Sequence, residues 1–129
     1  MKSSKSWIII SGILGFLGVA LGAFGAHALK DHFSFEQMET FRTGSFYHLI
    51  HAVVITAISL SNYKRFRKSN IFFFAGIILF SFSLYLYSVF QIRIFAMITP
   101  FGGVSFLLGW MFLLIDAVRK EKENSTSQL

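Results

Sequence analysis

Hydrophobic residues gather into four long runs, Trp7–Leu29, Ser45–Ser61, Ile71–Phe90 and Phe95–Ile115, parted by short polar stretches. At about 1.5 Å of helix rise per residue, each run comes close to the roughly 30 Å of a bilayer's hydrocarbon core, the second being the shortest. Lipid offers no partner to backbone N–H and C=O groups, so helices are the economical way across. The pattern predicts an all-α membrane protein, a single domain of four transmembrane helices in an antiparallel bundle. The helices are expected at about 7–29, 45–61, 71–90 and 95–116, with a polar cytoplasmic tail at 117–129. Glu121–Leu129 lacks apolar periodicity and reads as disordered.

Between the first two runs the pattern predicts a short amphipathic helix on the outer surface. Ser34 with Gln37 three residues on has the form of a capping box, Phe33 and Met38 flank it as a hydrophobic staple, and Gly44 is the expected stop. Phe35, Met38 and Phe41 would face bundle or lipid while Glu36 and Glu39 face water, so that Phe33–Arg42 forms a lid. In the fourth run Thr99-Pro100 is a local break, since proline donates no hydrogen bond and crowds the preceding turn. The helix starts either at Pro100 with Thr99 as cap, or near Phe95 with a kink.

Small residues mark where helices can touch. Gly12, Gly15, Gly18, Gly22 and Gly25 recur at steps of three or four and line one face of the first helix. Gly18–Gly22 is a GxxxG step, and such positions let backbones approach closely where packing, not water exclusion, drives association. Gly76, Phe80, Ser83 and Tyr87 share a stripe on the third helix. Gly102, Ser105, Gly109, Phe112 and Asp116 do so on the fourth, with Gly103 beside them. A seam inside the bundle is the expected use of the first-helix glycines, with a homodimer face as the alternative. Trp7, Tyr47, Tyr85 and Tyr87 fall near helix ends and suggest an interfacial aromatic belt.

Charge then fixes an orientation. Helix ends alternate across the bilayer, so Lys2, Lys5, Lys64, Arg65, Arg67, Lys68, Arg119, Lys120 and Lys122 share one side, against Lys30, Arg42 and Arg93 on the other. Translocated loops are poor in Lys and Arg, so both termini are expected in the cytoplasm of a cell (inner or plasma) membrane protein. Lys2 and Lys5 before an apolar run, and Ala26-His27-Ala28 at its end, imitate a signal peptide. The run from Ile8 to Ala26 exceeds a signal's apolar core of about 7–15 residues, so it reads as a retained helix. The net charge of +6 forms no single stripe, which argues against a nucleic-acid partner. The partner expected is the lipid bilayer, with a homo-oligomer or another membrane protein as further candidates. The chain has no cysteine, which removes thiol chemistry, disulfides and cysteine-ligated zinc.

Candidate chemistry is sparse. His48 and His51 share a face of the second run, and by rise alone His51 lies about 9 Å below that run's outer end. If the first two helices are antiparallel neighbours, His27, Asp31, His48 and His51 could converge. Imidazoles with a carboxylate suit a transition metal, and paired histidines between helices suit a haem. Against this, no two histidines have the i, i+4 spacing of a zinc protease, and an interfacial imidazole can simply bond a neighbouring hydroxyl or carbonyl. No metal and no cofactor is therefore expected. Asp116, at a membrane edge, would pair with Arg119, Lys120 or the lysines before Trp7. The absence of Asp, Glu, Lys and Arg from the four cores sets the chain apart from small proton-coupled multidrug exporters, which need an embedded acid.

Four motifs carry a family resemblance. Gly22-Ala23-Phe24-Gly25-Ala26-His27-Ala28 comes first, then Thr43-Gly44 followed by Tyr47 and His51. Phe80-Ser81 with Ser83-Leu84-Tyr85 follows, then Thr99-Pro100 with Gly102-Gly103, Ser105-Phe106-Leu107 and Gly109-Trp110. In this order they resemble domain-of-unknown-function family 423, small bacterial inner-membrane proteins of the YgdD/YwdK kind, over nearly the whole chain. Phe82 stands where that pattern is expected to hold glycine, which removes a point of close helix approach. The resemblance implies a four-helix inner-membrane protein and no established activity. It directs attention to His27, Tyr47, His51 and the Pro100–Gly103 turn. The expectation is a non-enzymatic protein whose outer-leaflet pocket of His27, Asp31, Tyr47, His48 and His51 binds a lipid, a small ligand or a partner helix. The alternatives are a metal- or haem-binding redox module built on the same histidines, and a subunit of an oligomeric transporter or channel.

Overall fold

Each apolar run closes its own backbone hydrogen bonds as a helix long and apolar enough to cross a membrane: α1 Ser4–Leu29, α2 Phe35–Leu60, α3 Lys64–Phe90 and α4 Arg93–Arg119. The computed structural model describes residues 2–61 and 63–127. Helical geometry in α4 runs on to Ser127, through the segment whose polarity suggested disorder. The Arg119–Glu123 stretch consists of good helix formers, and propagation needs no apolar face. Of the expected tail, residues 128 and 129 lie outside the described residues.

The largest departure from the sequence reading is in α2. Ser34 opens it with the expected capping box: Oγ accepts from the Gln37 N–H at 3.2 Å, and Gln37 Oε1 accepts from the Ser34 N–H at 2.9 Å. The helix does not stop at Gly44, however, but runs unbroken to Leu60, so the outer helix and the second span are one element. Gly44 ends nothing because it keeps helical geometry. Its bare Cα lets α3 come close, a Cβ there standing 3.1 Å from the Ser81 carbonyl and 3.2 Å from the Tyr85 ring. Phe33 meets Phe41 edge-on at 6.1 Å. At 26 residues α2 rises about 39 Å, more than the roughly 30 Å of the hydrocarbon core, and both of its acidic residues, Glu36 and Glu39, lie in its first turns.

The helices run antiparallel in sequence, with α2 lying between α1 and α3 and its side chains reaching α4. Gly18 packs on His48 and Leu49, Gly22 on Ser45 and Gly25 on Phe41, which fixes the α1–α2 register. Gly12 and Gly15 have nothing within 4 Å of a built Cβ. The reason is helical phase: each step of three falls about 60° short of a full turn, so two such steps carry Gly12 off the seam. Between α3 and α4, Gly102 rests on the backbone of Leu79 and Phe80, Gly76 receives the Phe106 ring, and Gly109 receives the Phe73 ring. Gly103 touches Phe80 only at an ordinary 3.8 Å. Helix α4 starts ahead of Pro100, the earlier of the two expected starts. Thr99 Oγ1 donates to the Phe95 carbonyl and bonds Ser83 Oγ at 2.7 Å.

Two π-helical turns, Ala20–Gly25 in α1 and Ile77–Phe82 in α3, flank α2 at Gly44 and Ser45. The core behind them is Leu14, Ala52, Ile55, Phe73, Ile77 and Phe106. Phe82, in the place expected to hold glycine, packs against His48 and Tyr85. Lipid tails are as apolar as leucine, so polar contacts between helices supplement packing. Asn70 donates to Ser59 Oγ at 3.1 Å, Ser105 to the Phe72 carbonyl at 2.7 Å, and Gln37 to the Ser88 carbonyl at 3.0 Å. The outward faces carry Phe16, Phe46, Val53, Phe101, Leu107 and Leu114, and these meet lipid.

Candidate functional site

The longer α2 moves its histidines. Counted from Phe35, His48 and His51 lie about 20 and 24 Å along a 39 Å helix, near its middle and not in the outer third. His51 is buried, stacked on Phe106 at 3.7 Å, with Tyr47 parallel to it at 6.1 Å. Trp110 Nε1–H donates to His51 Nε2 at 3.2 Å. An indole nitrogen can only donate, so Nε2 must accept and the ring proton sits on Nδ1, which donates to the Tyr47 carbonyl at 2.8 Å. Both nitrogens of His51 are committed within the bundle.

His48 is fully buried and bridges the other way. Its Nδ1 bonds the Tyr85 hydroxyl at 3.0 Å, and the Ser45 hydroxyl reaches the same phenol. Its Cδ2 edge faces α1 at Gly18, leaving Nε2 buried beside the Leu14 backbone without a well-formed hydrogen bond. Ser81 Oγ, buried on α3 in the segment packed against Gly44, also lacks a partner. The tyrosines expected in an interfacial belt therefore divide. Tyr85 is buried as the partner of His48, and Tyr47 packs among His51, Phe80 and Phe106. Trp7 packs edge-on to Phe74.

His27 and Asp31 do not join this group. With Gly25 over Phe41 and Gly18 beside His48, the antiparallel register sets His27 level with Glu39 and Thr40, about 17 Å of rise from His51. His27 and Asp31 are exposed at the far end of α1. The expected convergence of His27, Asp31, His48 and His51 is thus corrected, because α2 extends above the histidines by more than three turns. No group of three or more His, Asp or Glu among the described residues is placed to hold a metal. Asp116 is half-buried with one carboxylate oxygen unpaired; of its expected partners, the side chains of Lys2 and Lys120 lie outside the described residues, among which the one ion pair is Arg42–Glu39 at 3.1 Å.

A cleft of about 140 Å³ opens where the start of α2 meets the end of α3, lined by Ser34, Glu36, Gln37, Thr40, Tyr87 and Gln91. The capping box builds one wall. The other is the C-terminus of α3, closed by Gln91 in the left-handed region at φ 55°. Gln91 Nε2 donates back to the Tyr87 carbonyl at 2.8 Å and the Ser88 carbonyl at 3.3 Å, and Gln37 Nε2 shares the latter. Sequence reasoning found the Ser34–Gln37 cap but not this cleft. Nothing in the apolar pattern shows that α2 outlasts the hydrocarbon and brings its first turn level with Ser88.

Residues 21–103 match the family described as Protein of unknown function (DUF423). The chain is 38% identical over 125 residues to the UPF0382 inner membrane protein YgdD of Escherichia coli K12, covering 94% of this chain and 95% of that one. It is 41% identical over 120 residues to the UPF0382 membrane protein YwdK of Bacillus subtilis 168, covering 89% and 98%. A UPF0382 membrane protein of Staphylococcus epidermidis is 36% identical over 118 residues, covering 89% and 97%. No solved structure matches the chain.

Proposed function

The chain belongs to the DUF423 family of membrane proteins, whose description assigns no activity, and we propose from its geometry that it is a non-enzymatic binding protein. Its site is the polar cleft at the Ser34 end of the bundle, which receives a small polar group presented at the membrane surface. The observation that carries this reading is the cleft's lining: six polar or amphipathic side chains around one hollow, at the depth where headgroups lie. The histidine seam below it serves cohesion between helices. His51 has no lone pair left for a metal or haem iron, and His48 would have to abandon Tyr85 or turn its buried Nε2 away from α1.

The same reading sets the cleft on the outer face and both termini in the cytoplasm. Lys5, Lys64, Arg65, Arg67, Lys68 and Arg119 share the opposite end of the bundle from Lys30, Arg42 and Arg93. Reporter fusions after Leu129 should behave as cytoplasmic and insertions in the 30–34 turn as external. A periplasmic reporter active after Leu129 would reverse the orientation. The binding claim is tested by Thr40→Leu with Gln91→Leu, which strips the cleft. Phospholipid titrated onto detergent-purified protein and counted by native mass spectrometry should bind more weakly to the double variant. Unchanged binding would remove the cleft as the site.

A further inference from the structure

We propose, building on the reading of the cleft as the ligand site, that it recognises a primary ammonium group, with Glu36 as the counter-charge. The argument rests on the charge and the hydrogen-bonding capacity of the lining. The Gln37 and Gln91 amides already donate to the carbonyls of Tyr87 and Ser88. The Thr40 hydroxyl donates to the Glu36 carbonyl at 3.0 Å, and Ser34 Oγ already accepts from Gln37. The lining side chains keep donors at the Ser34 and Tyr87 hydroxyls and the second Gln37 amide hydrogen, and acceptors at the Glu36 carboxylate, Gln91 Oε1 and the oxygens of Thr40 and Tyr87, with Glu36 as the one charged group among them. Glu36 has no ion-pair partner among the described residues.

The cleft lies between the C-terminal end of α3, with its negative partial charge, and the N-terminal turn of α2, with its positive one, so the two helix dipoles offset and the Glu36 carboxylate sets the sign. The Tyr87 ring adds an aromatic wall. Three N–H donors on a primary ammonium match the acceptors present, whereas a quaternary ammonium has none to give. A volume near 140 Å³ suits an ethanolammonium-sized group and excludes a folded chain. Arg93, exposed two residues past Gln91 in sequence at the first position of α4, is the cation this reading assigns to a phosphate attached to that ammonium. This chemistry has two sources, the headgroup of phosphatidylethanolamine and a soluble primary amine.

The test is native mass spectrometry of detergent-purified protein titrated with phosphatidylethanolamine, phosphatidylcholine and phosphatidylglycerol of identical acyl chains. A parallel NMR titration uses ethanolammonium chloride. The wild type should prefer phosphatidylethanolamine over phosphatidylcholine by about tenfold, the strength of one charge-assisted hydrogen bond at a half-open site. Glu36→Gln, isosteric and exposed, should remove that preference by weakening phosphatidylethanolamine, without weakening phosphatidylglycerol, which has no ammonium. Arg93→Gln should weaken the lipid but not ethanolammonium. A role for Glu36 confined to compensating the start of α2 would change stability without touching headgroup preference, and that outcome overturns the proposal. Saturable ethanolammonium shifts at the cleft without a lipid preference support it, with a soluble amine as ligand. Equal loss of all three lipids in Thr40→Leu/Gln91→Leu, with no preference in the wild type and no ethanolammonium shifts, keeps the cleft as the site and overturns ammonium recognition. Unchanged lipid binding in that variant, again without ethanolammonium shifts, overturns both.

Discussion

The indole N–H of Trp110 on α4 donates to Nε2 of His51 on α2 at 3.2 Å, so a histidine near the middle of a membrane helix is held by a residue fifty-nine positions away. The geometry leaves one arrangement of the ring proton, on Nδ1 toward the Tyr47 carbonyl. Trp110→Phe keeps an aromatic ring against Phe73 but leaves Nε2 without its donor. Buried polar groups left unpaired cost about 1–3 kcal/mol in water-soluble proteins, and interhelical hydrogen bonds in membranes average nearer 0.6 kcal/mol. The expected loss is therefore about 1 kcal/mol in detergent-driven unfolding. In a cycle with His51→Phe, the double variant should lose less than the two single variants together. Strict additivity would mean the two side chains are neighbours without a bond.

Gly102 gives a sharper outcome. A Cβ there would run into the backbone of Leu79 and Phe80 at the π turn of α3, and backbone cannot rotate away as a side chain can. Gly102→Ala should cost about 1–3 kcal/mol, the range for an overpacked core. Gly103→Ala, one position on, meets the Phe80 ring only at 3.8 Å and should be close to neutral. Thermal unfolding of both variants in detergent tests the contrast. Equal stability would show that α3 and α4 do not touch at Gly102.

Much of the architecture was legible because a bilayer constrains it. Run length gave four spans, and glycine spacing marked Gly18, Gly22, Gly102 and Gly109 as contact points. What misled was a pair of local signals. Gly44 after a polar stretch has the form of a helix stop, and only its contact with Ser81 shows that the missing side chain serves α3. The false stop shifts every depth in α2, which puts His48 and His51 near the interface with His27 as their neighbour. The partners Tyr85 and Trp110 stayed hidden for another reason. Which face of α3 or α4 meets α2 depends on helix rotation, and the apolar pattern is nearly uniform around helices that face both protein and lipid.

The Ser34 cap does more than start a helix, and its substitutions should separate its parts. Ser34→Ala removes the acceptor for the Gln37 N–H and should cost about 1 kcal/mol, as other N-caps do. Gln37→Ala removes the reciprocal bond to the Ser34 N–H and also the tie to the Ser88 carbonyl across to α3. It should destabilise more than Ser34→Ala and speed amide exchange at the ends of both α2 and α3. Exchange that rises in α2 alone would show that the Gln37–Ser88 bond contributes nothing to docking the two helices.

The register between α1 and α2 can be read directly, because the chain has no native cysteine. At Gly22 a built Cβ lies 3.9 Å from the Cβ of Ser45, close to the separation of about 3.8 Å typical across a disulfide. The Gly22→Cys/Ser45→Cys pair should crosslink readily within one chain under mild oxidant, seen as a mobility shift that reductant reverses. His27→Cys/His51→Cys should not, since about 17 Å of helix rise separates them and a disulfide needs Cα atoms within roughly 7 Å. The two pairs discriminate between registers. An α1 slid along α2 far enough to bring His27 to His51 would carry Gly22 away from Ser45, exchanging the outcomes. Crosslinking between two chains at Gly22→Cys/Ser45→Cys would instead mean that the glycine seam joins neighbouring molecules, and the α1–α2 packing described above would be wrong.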